Sequence, residues 1–207
     1  DKDLVAVAPF AKQPFALVAS ASLGVKSVAE LAAKARMTPL KFGSLGPTTQ
    51  IYFVAEQFRK QAGVSATHVP YKSLVEANEA VAKGDAAFWF PPVAGAMSAI
   101  RDGKLAALAV TSAQRVPQLP QVPTMAEAGV KNMESAAWFG LWAPAGVPAA
   151  VIDKIAKDVD LALAAPDVRE KLTKAGAQPM SMTPAQFARF VNDETESSRQ
   201  LMKELGI

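Results

Sequence analysis

Residues 40–72, LKFGSLGPTTQIYFVAEQFRKQAGVSATHVPYK, contain a complete strand–helix–strand pattern. Apolar residues predict a strand over 40–43, and a glycine-containing loop follows it. Over 48–62, apolar side chains recur with the spacing of one helix face, at Ile51, Val54, Ala55 and Phe58. Gly63 predicts the end of this helix, and the next predicted strand covers 66–69. The segment is therefore typical of an α/β fold.

The same alternation continues on both sides of this segment. Ser27 and Ser73 each precede a glutamate by three residues, a pattern that predicts a helix start because the two side chains can cap it reciprocally. Further predicted strands cover 4–8, 13–19, 85–90, 105–110 and 135–142. A short helix is predicted to end at 101, and further helices are predicted over 148–164, 166–174 and 183–205. Single helices between strands favour a parallel sheet, and the helical tail indicates a second lobe.

The composition excludes several classes of protein. The 207 residues are 50% apolar and 20% charged, which is typical of one large globular domain or two small lobes. No apolar run reaches the length of a membrane span. The chain has no cysteine, which excludes disulfides, thiolate nucleophiles, iron–sulfur clusters and cysteine-bound zinc. Its net charge of +3 comes from dispersed residues, so we expect no nucleic-acid partner.

The N-terminus shows no targeting signal. Asp1, Lys2 and Asp3 lead directly into a predicted strand, without the apolar core or the small-residue cleavage site of a signal peptide. Either a targeting segment has been removed or the chain begins inside a larger fold. We favour the second explanation, because no helix precedes the first strands.

Residues that could support catalysis are few. Ser44 lies in the sequence FGSLG, which lacks the first glycine of a nucleophile elbow. A Ser–His–acid arrangement would have to use His68, the single histidine, and a lone histidine on a strand is more often structural. No cluster of histidines and carboxylates indicates a metal site. We therefore predict that the protein is not an enzyme and needs no metal or cofactor.

The loop before the predicted helix at 48–62 is the best candidate for a binding site. Ser44, Thr48 and Thr49 provide hydroxyl groups, and Gly46 makes the loop flexible. The unpaired amides and the dipole of a helix N-terminus favour an anion. Since the loop lacks the lysine of a phosphate-binding P-loop, a carboxylate fits better than a phosphate chain. The alternative interpretation is that Thr48 only caps the helix.

Aromatic residues at other strand ends extend the candidate site. Tyr71 ends one strand and is able to line a cleft. The sequence FWFPP places Phe90 and Pro91 at the end of another, with core packing as the alternative for its first aromatic residue. Trp138 and Trp142 fall on the same face of a predicted strand, so either one of them faces a cleft or both are buried.

Five short motifs together resemble one protein family. They are FGSLGPT at 42–48, VPYK at 69–72, GKLAALAVT at 103–111, VPTMAEAG at 122–129 and WFGLWAPAG at 138–146. In this order they resemble the solute-binding proteins of tripartite tricarboxylate transporters, also called the Bordetella uptake gene or TctC-like family. The resemblance covers essentially the whole chain, and its last three motifs are the most specific.

The resemblance implies a periplasmic α/β protein with the type II periplasmic-binding-protein fold, in which two lobes enclose a ligand cleft. Members of the family are longer at the N-terminus, so the first lobe is expected to be incomplete here. It comprises 1–18 and 134–207, and the second lobe comprises 19–133. The implied partners are a small carboxylate and the membrane permease subunits of the transporter. We expect the full-length protein to be a monomer.

The resemblance also implies a set of ligand-binding residues, which are Ser44, Gly46, Thr48, Thr49, Tyr71, Phe90, Pro91 and Trp138. Three places depart from the family pattern. Ser73 stands where a glycine is usual, Pro91 and Pro92 stand where many members are polar or acidic, and Gln50 lies near the usual position of a histidine. A bulkier and less polar wall suggests the hypothesis of an aromatic or longer-chain acid as ligand.

Two functions of other classes remain open from the sequence alone. The effector-sensing domain of a transcription regulator has the same fold, but it would normally follow a DNA-binding helix-turn-helix. An α/β enzyme would have to use Ser44 and His68. A ligand-binding protein without a transporter is a third and less specific possibility.

Overall fold

The chain forms two units. The computed structural model describes residues 3–206. One unit, called the central unit here, comprises Pro14–Ala137. The other, called the terminal unit, combines Asp1–Gln13 with Trp138–Ile207. The chain therefore passes from one unit to the other twice.

The central unit is built on a five-stranded sheet. Its strands are β2 (Ala16–Ser20), β3 (Leu40–Ser44), β4 (Ala66–Pro70), β5 (Phe88–Trp89) and β6 (Leu105–Val110), in the spatial order β4-β3-β5-β2-β6. β3 pairs in parallel with β4 and β5, but β2 runs antiparallel to β5 and β6. The prediction of a parallel sheet is therefore wrong for β2. Alternating strands and helices reveal the order of elements along the chain, whereas strand direction depends on which strands become neighbours.

Four α-helices belong to the central unit, besides a short 3₁₀-helix over Ala21–Leu23: α1 (Val28–Met37), α2 (Gln50–Ala62), α3 (Leu74–Lys83) and α4 (Val93–Arg101). The predicted serine caps of α1 and α3 are confirmed, but the glutamates of the two predicted boxes accept from the amides of Lys26 and Lys72, one residue before each serine. The hydroxyl oxygens of Ser27 and Ser73 accept hydrogen bonds from the amides of Glu30 and Glu76, each at 3.2 Å. Gly63 ends α2 with a φ of 62°, a left-handed value that glycine adopts without steric cost.

An aromatic cluster lies between the sheet and α2. Phe42 on β3 stands opposite Phe88 on β5, with ring centres 5.9 Å apart. Phe58 on α2 packs edge-on against Phe88 and Phe90, at 5.7 and 5.5 Å. All four rings are completely buried. This cluster fixes α2 on the sheet and therefore fixes the place where the helix begins.

The terminal unit contains a three-stranded sheet and three helices. Its strands are β1 (Leu4–Pro14), β7 (Ala136–Pro144) and β8 (Gln178–Pro179), with β1 in the middle. The last residue of β1 and the first two of β7 already belong to the central unit. Its helices are α5 (Ala149–Ala164), α6 (Pro166–Lys174) and α7 (Pro184–Leu205). Thr183 and Gln186 form a capping box that confirms the predicted start of α7. No helix within residues 3–206 combines the length and the apolar character needed to cross a membrane.

Candidate functional site

The connection between β3 and α2, residues 44–49, is ordered by its own polar groups; we call it the β3–α2 turn. The amide of Gly46 donates a hydrogen bond to Ser44 Oγ at 3.0 Å. The carbonyl of Gly46 accepts hydrogen bonds from the amide and the hydroxyl of Thr49, at 3.2 and 2.7 Å. Gly46 has a φ of 117°, which only glycine adopts readily. The turn is therefore held in one conformation before any ligand arrives.

Thr49 caps α2. Its hydroxyl oxygen accepts a hydrogen bond from the amide of Tyr52 at 3.3 Å, and its own backbone is extended, with φ −96° and ψ 148°. The alternative interpretation that Thr48 caps the helix is therefore wrong. An extended cap residue directs its hydroxyl toward the third amide of the helix, and the residue that does so here is Thr49, one position after Thr48.

Several donors of the turn remain available for an anion. Among the described residues, the exposed Thr48 hydroxyl has no hydrogen-bond partner. The amides of Gln50 and Ile51 belong to the first helical turn, where no carbonyl of the helix can accept from them. The first turn of α2 also carries no acidic side chain. These groups and the helix dipole make the turn suitable for a carboxylate.

Ser44 and His68 lie in contact, 24 residues apart in the chain. Ser44 Oγ and His68 Nε2 are 2.6 Å apart. Ser44 is completely buried, and no carboxylate within residues 3–206 forms a hydrogen bond with His68. Burial of the ring lowers the pKa of His68 below its usual range, although the charge of Glu56 opposes this effect. The pair therefore has no exposed nucleophile and no orienting acid.

Tyr71 lies directly beside the β3–α2 turn. Its amide donates a hydrogen bond to the carbonyl of Ser44 at 2.8 Å. Its ring covers Gly43, since a Cβ atom placed on this glycine would lie 3.1 Å from Tyr71 Cε2. Burial, with smaller contributions from Asp85 and Glu76, raises the pKa of the Tyr71 phenol, which stays neutral at physiological pH. Gly43 therefore allows Tyr71 to approach the turn.

Phe90 and Pro91 are packing residues within the central unit. Phe90 is completely buried against Phe58, and the carbonyl of Pro91 accepts a hydrogen bond from the amide of Ala16 at 2.9 Å. Pro91 is also buried. Both residues hold the connection from β5 to α4 in place. A direct role in ligand binding stays a prediction for them.

Trp138 belongs to the terminal unit. Its ring stands edge-on to Phe187 and Phe190, with centres 5.6 and 5.4 Å apart. Trp142 also packs on Phe187, with ring centres 5.5 Å apart. The two tryptophans therefore lie on the same face of the strand, as predicted. Trp142 is 40% exposed, so the two tryptophans are not both buried. A role of Trp138 in ligand binding stays a prediction.

Two residues that sequence reasoning did not select hold the chain where it leaves the central unit. The amide of Thr111 donates to the carbonyl of Phe15, and the Thr111 hydroxyl donates to the carbonyl of Ser135, at 2.9 and 2.6 Å. Gln50 Nε2 donates to the carbonyl of Ala136 at 3.0 Å. A threonine directly after the apolar residues 105–110 was the available signal for Thr111, and the structure shows that it is buried. The sequence does not show which segments it joins.

Chemistry other than anion binding finds little support in the side chains. No group of three or more histidine, aspartate and glutamate side chains in the described part of the chain could hold a metal ion. Glu56 and Arg59 of α2 form an ion pair at 3.1 Å and neutralise each other. In the β3–α2 turn, available donors and the absence of an acidic side chain coincide.

Comparison with known proteins gives a consistent result. The profile of the family described as "Tripartite tricarboxylate transporter family receptor" matches residues 1–207. A UPF0065 protein from the tcbD-tcbE intergenic region of Pseudomonas sp. (strain P51) is 34% identical over 207 residues, which are 99% of this chain and 62% of that protein. The chain thus spans less than two thirds of the length of this relative.

Two solved structures have the same fold. The structure "R. palustris Rpa4515 with adipate" is 32% identical, with a TM-score of 0.89 over 100% of this chain and 70% of that one. MatC (Rpa3494) from Rhodopseudomonas palustris with bound malate is 28% identical, with a TM-score of 0.81 over 96% of this chain and 69% of that one. The predicted α/β binding-protein fold is thereby confirmed. The chain belongs to the receptor family of the tripartite tricarboxylate transporters, a family of binding proteins rather than enzymes.

Proposed function

We propose that the protein is an extracytoplasmic, periplasmic solute-binding protein that captures a small carboxylate and delivers it to the membrane subunits of a tripartite transporter. The observation that carries this proposal is the β3–α2 turn, in which the exposed Thr48 hydroxyl and the first amides of α2 are free to donate. Membership of the receptor family supports the transport role. We further propose that the two units correspond to the two lobes of such a receptor.

In this proposal the residues of the turn have different tasks. The Thr48 hydroxyl and the amides of Gln50 and Ile51 donate to the two oxygens of one carboxylate. Ser44 and Thr49 hold the turn, because their hydroxyls already bind within it. Hydrogen bonds to a charged acceptor are stronger than those between neutral groups, so few donors suffice for one carboxylate. No lysine or arginine lies in the turn to favour a multiply charged phosphate chain.

The ligand class we propose is a dicarboxylate, and within it a longer-chain one. An aromatic acid is the alternative that the less polar wall suggests. The two solved relatives carry adipate and malate in their names, and both are dicarboxylates that differ in length. The adipate-bound relative is the more similar of the two in sequence and in TM-score. Adipate is therefore the first compound to test, followed by malate, citrate and benzoate.

Isothermal titration calorimetry with these acids tests the proposal. The Thr48→Val variant removes the free hydroxyl and keeps the side-chain shape. Loss of a hydrogen bond to a charged group corresponds to about 1.5–3 kcal/mol, so the Kd should rise by about ten- to hundredfold. Thr67→Val is the matched control, because Thr67 is an exposed threonine on β4 outside the turn. Binding of no carboxylate, or equal affinities of both variants, contradicts the proposal.

Neither alternative function has an observation in its favour. An enzyme that uses Ser44 and His68 would need its serine to reach a substrate, and this serine is completely buried. A transcription-regulator domain would be expected to match a different family from the receptors found here. We therefore propose that the protein has no catalytic activity, and its monomeric state when full length stays a prediction.

A further inference from the structure

The single histidine of the chain, His68, contacts the first residue of the β3–α2 turn, Ser44. His68 lies on β4, opposite Phe42 in the parallel pairing with β3. Its Nε2 atom is 2.6 Å from Ser44 Oγ, and the same oxygen accepts from the amide of Gly46 at 3.0 Å. Two consecutive hydrogen bonds thus join His68, through Ser44, to Gly46, the glycine of the turn with positive φ.

The proton of the Ser44 hydroxyl has two possible acceptors. One is His68 Nε2 at 2.6 Å, and the other is the carbonyl of Gly46 at 3.4 Å. That carbonyl already accepts two hydrogen bonds from Thr49. The shorter distance and the occupied carbonyl favour donation from Ser44 to His68. The imidazole is then neutral, with its proton on Nδ1.

The surroundings of His68 favour this neutral form. The rings of Phe42 and Tyr52 lie 5.2 and 4.7 Å from the imidazole centre to centre, and burial lowers the pKa of His68. On the α2 side, the charged groups are Glu56 and Arg59, which form an ion pair, and burial raises the pKa of the Tyr52 phenol. On the β3 side, Phe42 and Ser44 carry no charge.

We propose that His68 is a positioning residue for the β3–α2 turn, which it holds through Ser44 while it is neutral, so that protonation of His68 weakens carboxylate binding. This inference rests on the proposed function. A protonated imidazole has donors on both nitrogens and cannot accept from Ser44; its Nε2–H then competes with the Gly46 amide for the Ser44 oxygen. The Ser44 proton must then turn to the distant carbonyl of Gly46, which competes with Thr49. Affinity is therefore full above the pKa of His68 and falls as the pH is lowered through it.

Nuclear magnetic resonance of tag-free protein tests the positioning role without a ligand. Because the chain has one histidine, its imidazole ¹⁵N signals are unambiguous. We expect the Nδ1-protonated tautomer at pH 7.5, and we expect the amide signals of Gly46 and Thr48 to shift with the titration of His68. In His68→Gln, whose side-chain oxygen can accept from Ser44 without titrating, these shifts should vanish. The Nε2-protonated tautomer, or amides that do not follow His68, would overturn the inference.

Calorimetry with adipate, or with whichever acid binds at pH 7.5, tests the functional link. From pH 7.5 to 5, the Kd of the wild type should rise more than that of His68→Gln, since protonation of the ligand affects both proteins equally. His68→Leu, which cannot accept, should bind about five- to tenfold more weakly at pH 7.5. Parallel pH profiles of wild type and His68→Gln contradict the inference. If no acid binds although the amides follow His68, the proposed function fails and the positioning role stands.

Discussion

Two strand-to-helix connections leave the central sheet at the carboxyl ends of the neighbouring parallel strands β3 and β5, and they are built differently. The β3–α2 turn is polar, contains a left-handed glycine and ends in a threonine cap. The β5–α4 connection consists of Phe90, Pro91 and Pro92, and its cap residue Pro92 makes no side-chain hydrogen bond to the helix. The first is held by hydrogen bonds, and the second by buried rings.

The difference shows what a binding turn requires. Both connections occupy the sheet edge where open α/β sheets place their ligands. In the β3–α2 turn, the Ser44 and Thr49 hydroxyls bind His68 and backbone groups, whereas the Thr48 hydroxyl and two helix amides stay free. In the β5–α4 connection, Phe90, Pro91 and Pro92 carry no hydroxyl group and the prolines have no amide hydrogen, although the first amides of α4 are as free as those of α2. Position at the sheet edge is therefore insufficient, and the arrangement of donors distinguishes the two.

Removal of the Phe58 ring, which packs against Phe90 of the β5–α4 connection, should change the stability of the protein most. Phe58→Ala deletes the packing of α2 against Phe88 and Phe90, and it is expected to lower the free energy of unfolding by about 3–5 kcal/mol. Urea denaturation monitored by circular dichroism measures this change. Phe139→Ala is the control, since that ring is 44% exposed, and its cost should be below about 1 kcal/mol. Equal costs would contradict the role assigned to the aromatic cluster.

Gly46 in the β3–α2 turn and Gly95 on α4 allow the cost of an unfavourable backbone conformation to be measured apart from side-chain packing. A Cβ on Gly46 meets no atom within 4 Å, so the cost of Gly46→Ala, about 1–3 kcal/mol, comes from its φ of 117°. Gly95 lies on α4, where a Cβ meets only Leu74 Cδ1 at 3.7 Å. Gly95→Ala should therefore stabilise by about 0.5–1 kcal/mol, because alanine favours helix. Thermal denaturation compares the two. Changes of the same sign would show that the turn does not depend on this glycine.

The helix caps should differ by a smaller amount. Thr49→Ala removes the bond to the amide of Tyr52 and should cost about 0.5–2 kcal/mol, whereas Thr49→Ser should restore most of it. Pro92→Ala removes no cap bond and should cost about 1 kcal/mol or less, through the greater freedom of the unfolded chain. Melting temperatures of the three variants provide the measurement. A larger loss at Pro92 than at Thr49 would reverse the comparison.

Helix boundaries could be predicted because their signals are local. Ser27, Ser73 and Thr183 each bind an amide three residues later, so the pattern that forms the cap is contained in four consecutive residues. The cap of α2 was misplaced by one position, since Thr48 and Thr49 offer the same hydroxyl. Only the conformation of the turn, with its glycine at positive φ, decides between them.

The candidate site could be predicted in part for the same reason. The hydroxyl-rich loop before a helix is visible in the sequence, but the burial of Ser44 and Phe90 is not, because burial depends on what packs against them. The contacts that hold the turn, and those that hold the chain where it leaves the central unit, also join residues that are distant in the chain. His68 lies 24 residues from Ser44, and Thr111 lies 96 residues from Phe15.

The sequence by itself determined the caps of α1, α3 and α7, the α/β class and the family, since caps, apolar periodicity and ordered motifs each lie within short segments. The tertiary structure decided the antiparallel direction of β2, the partner of Ser44 and which hydroxyls stay free. These depend on the neighbours that each strand acquires when the aromatic cluster of the central unit is buried. A hydroxyl becomes a binding group only where that packing leaves it without a partner inside the protein.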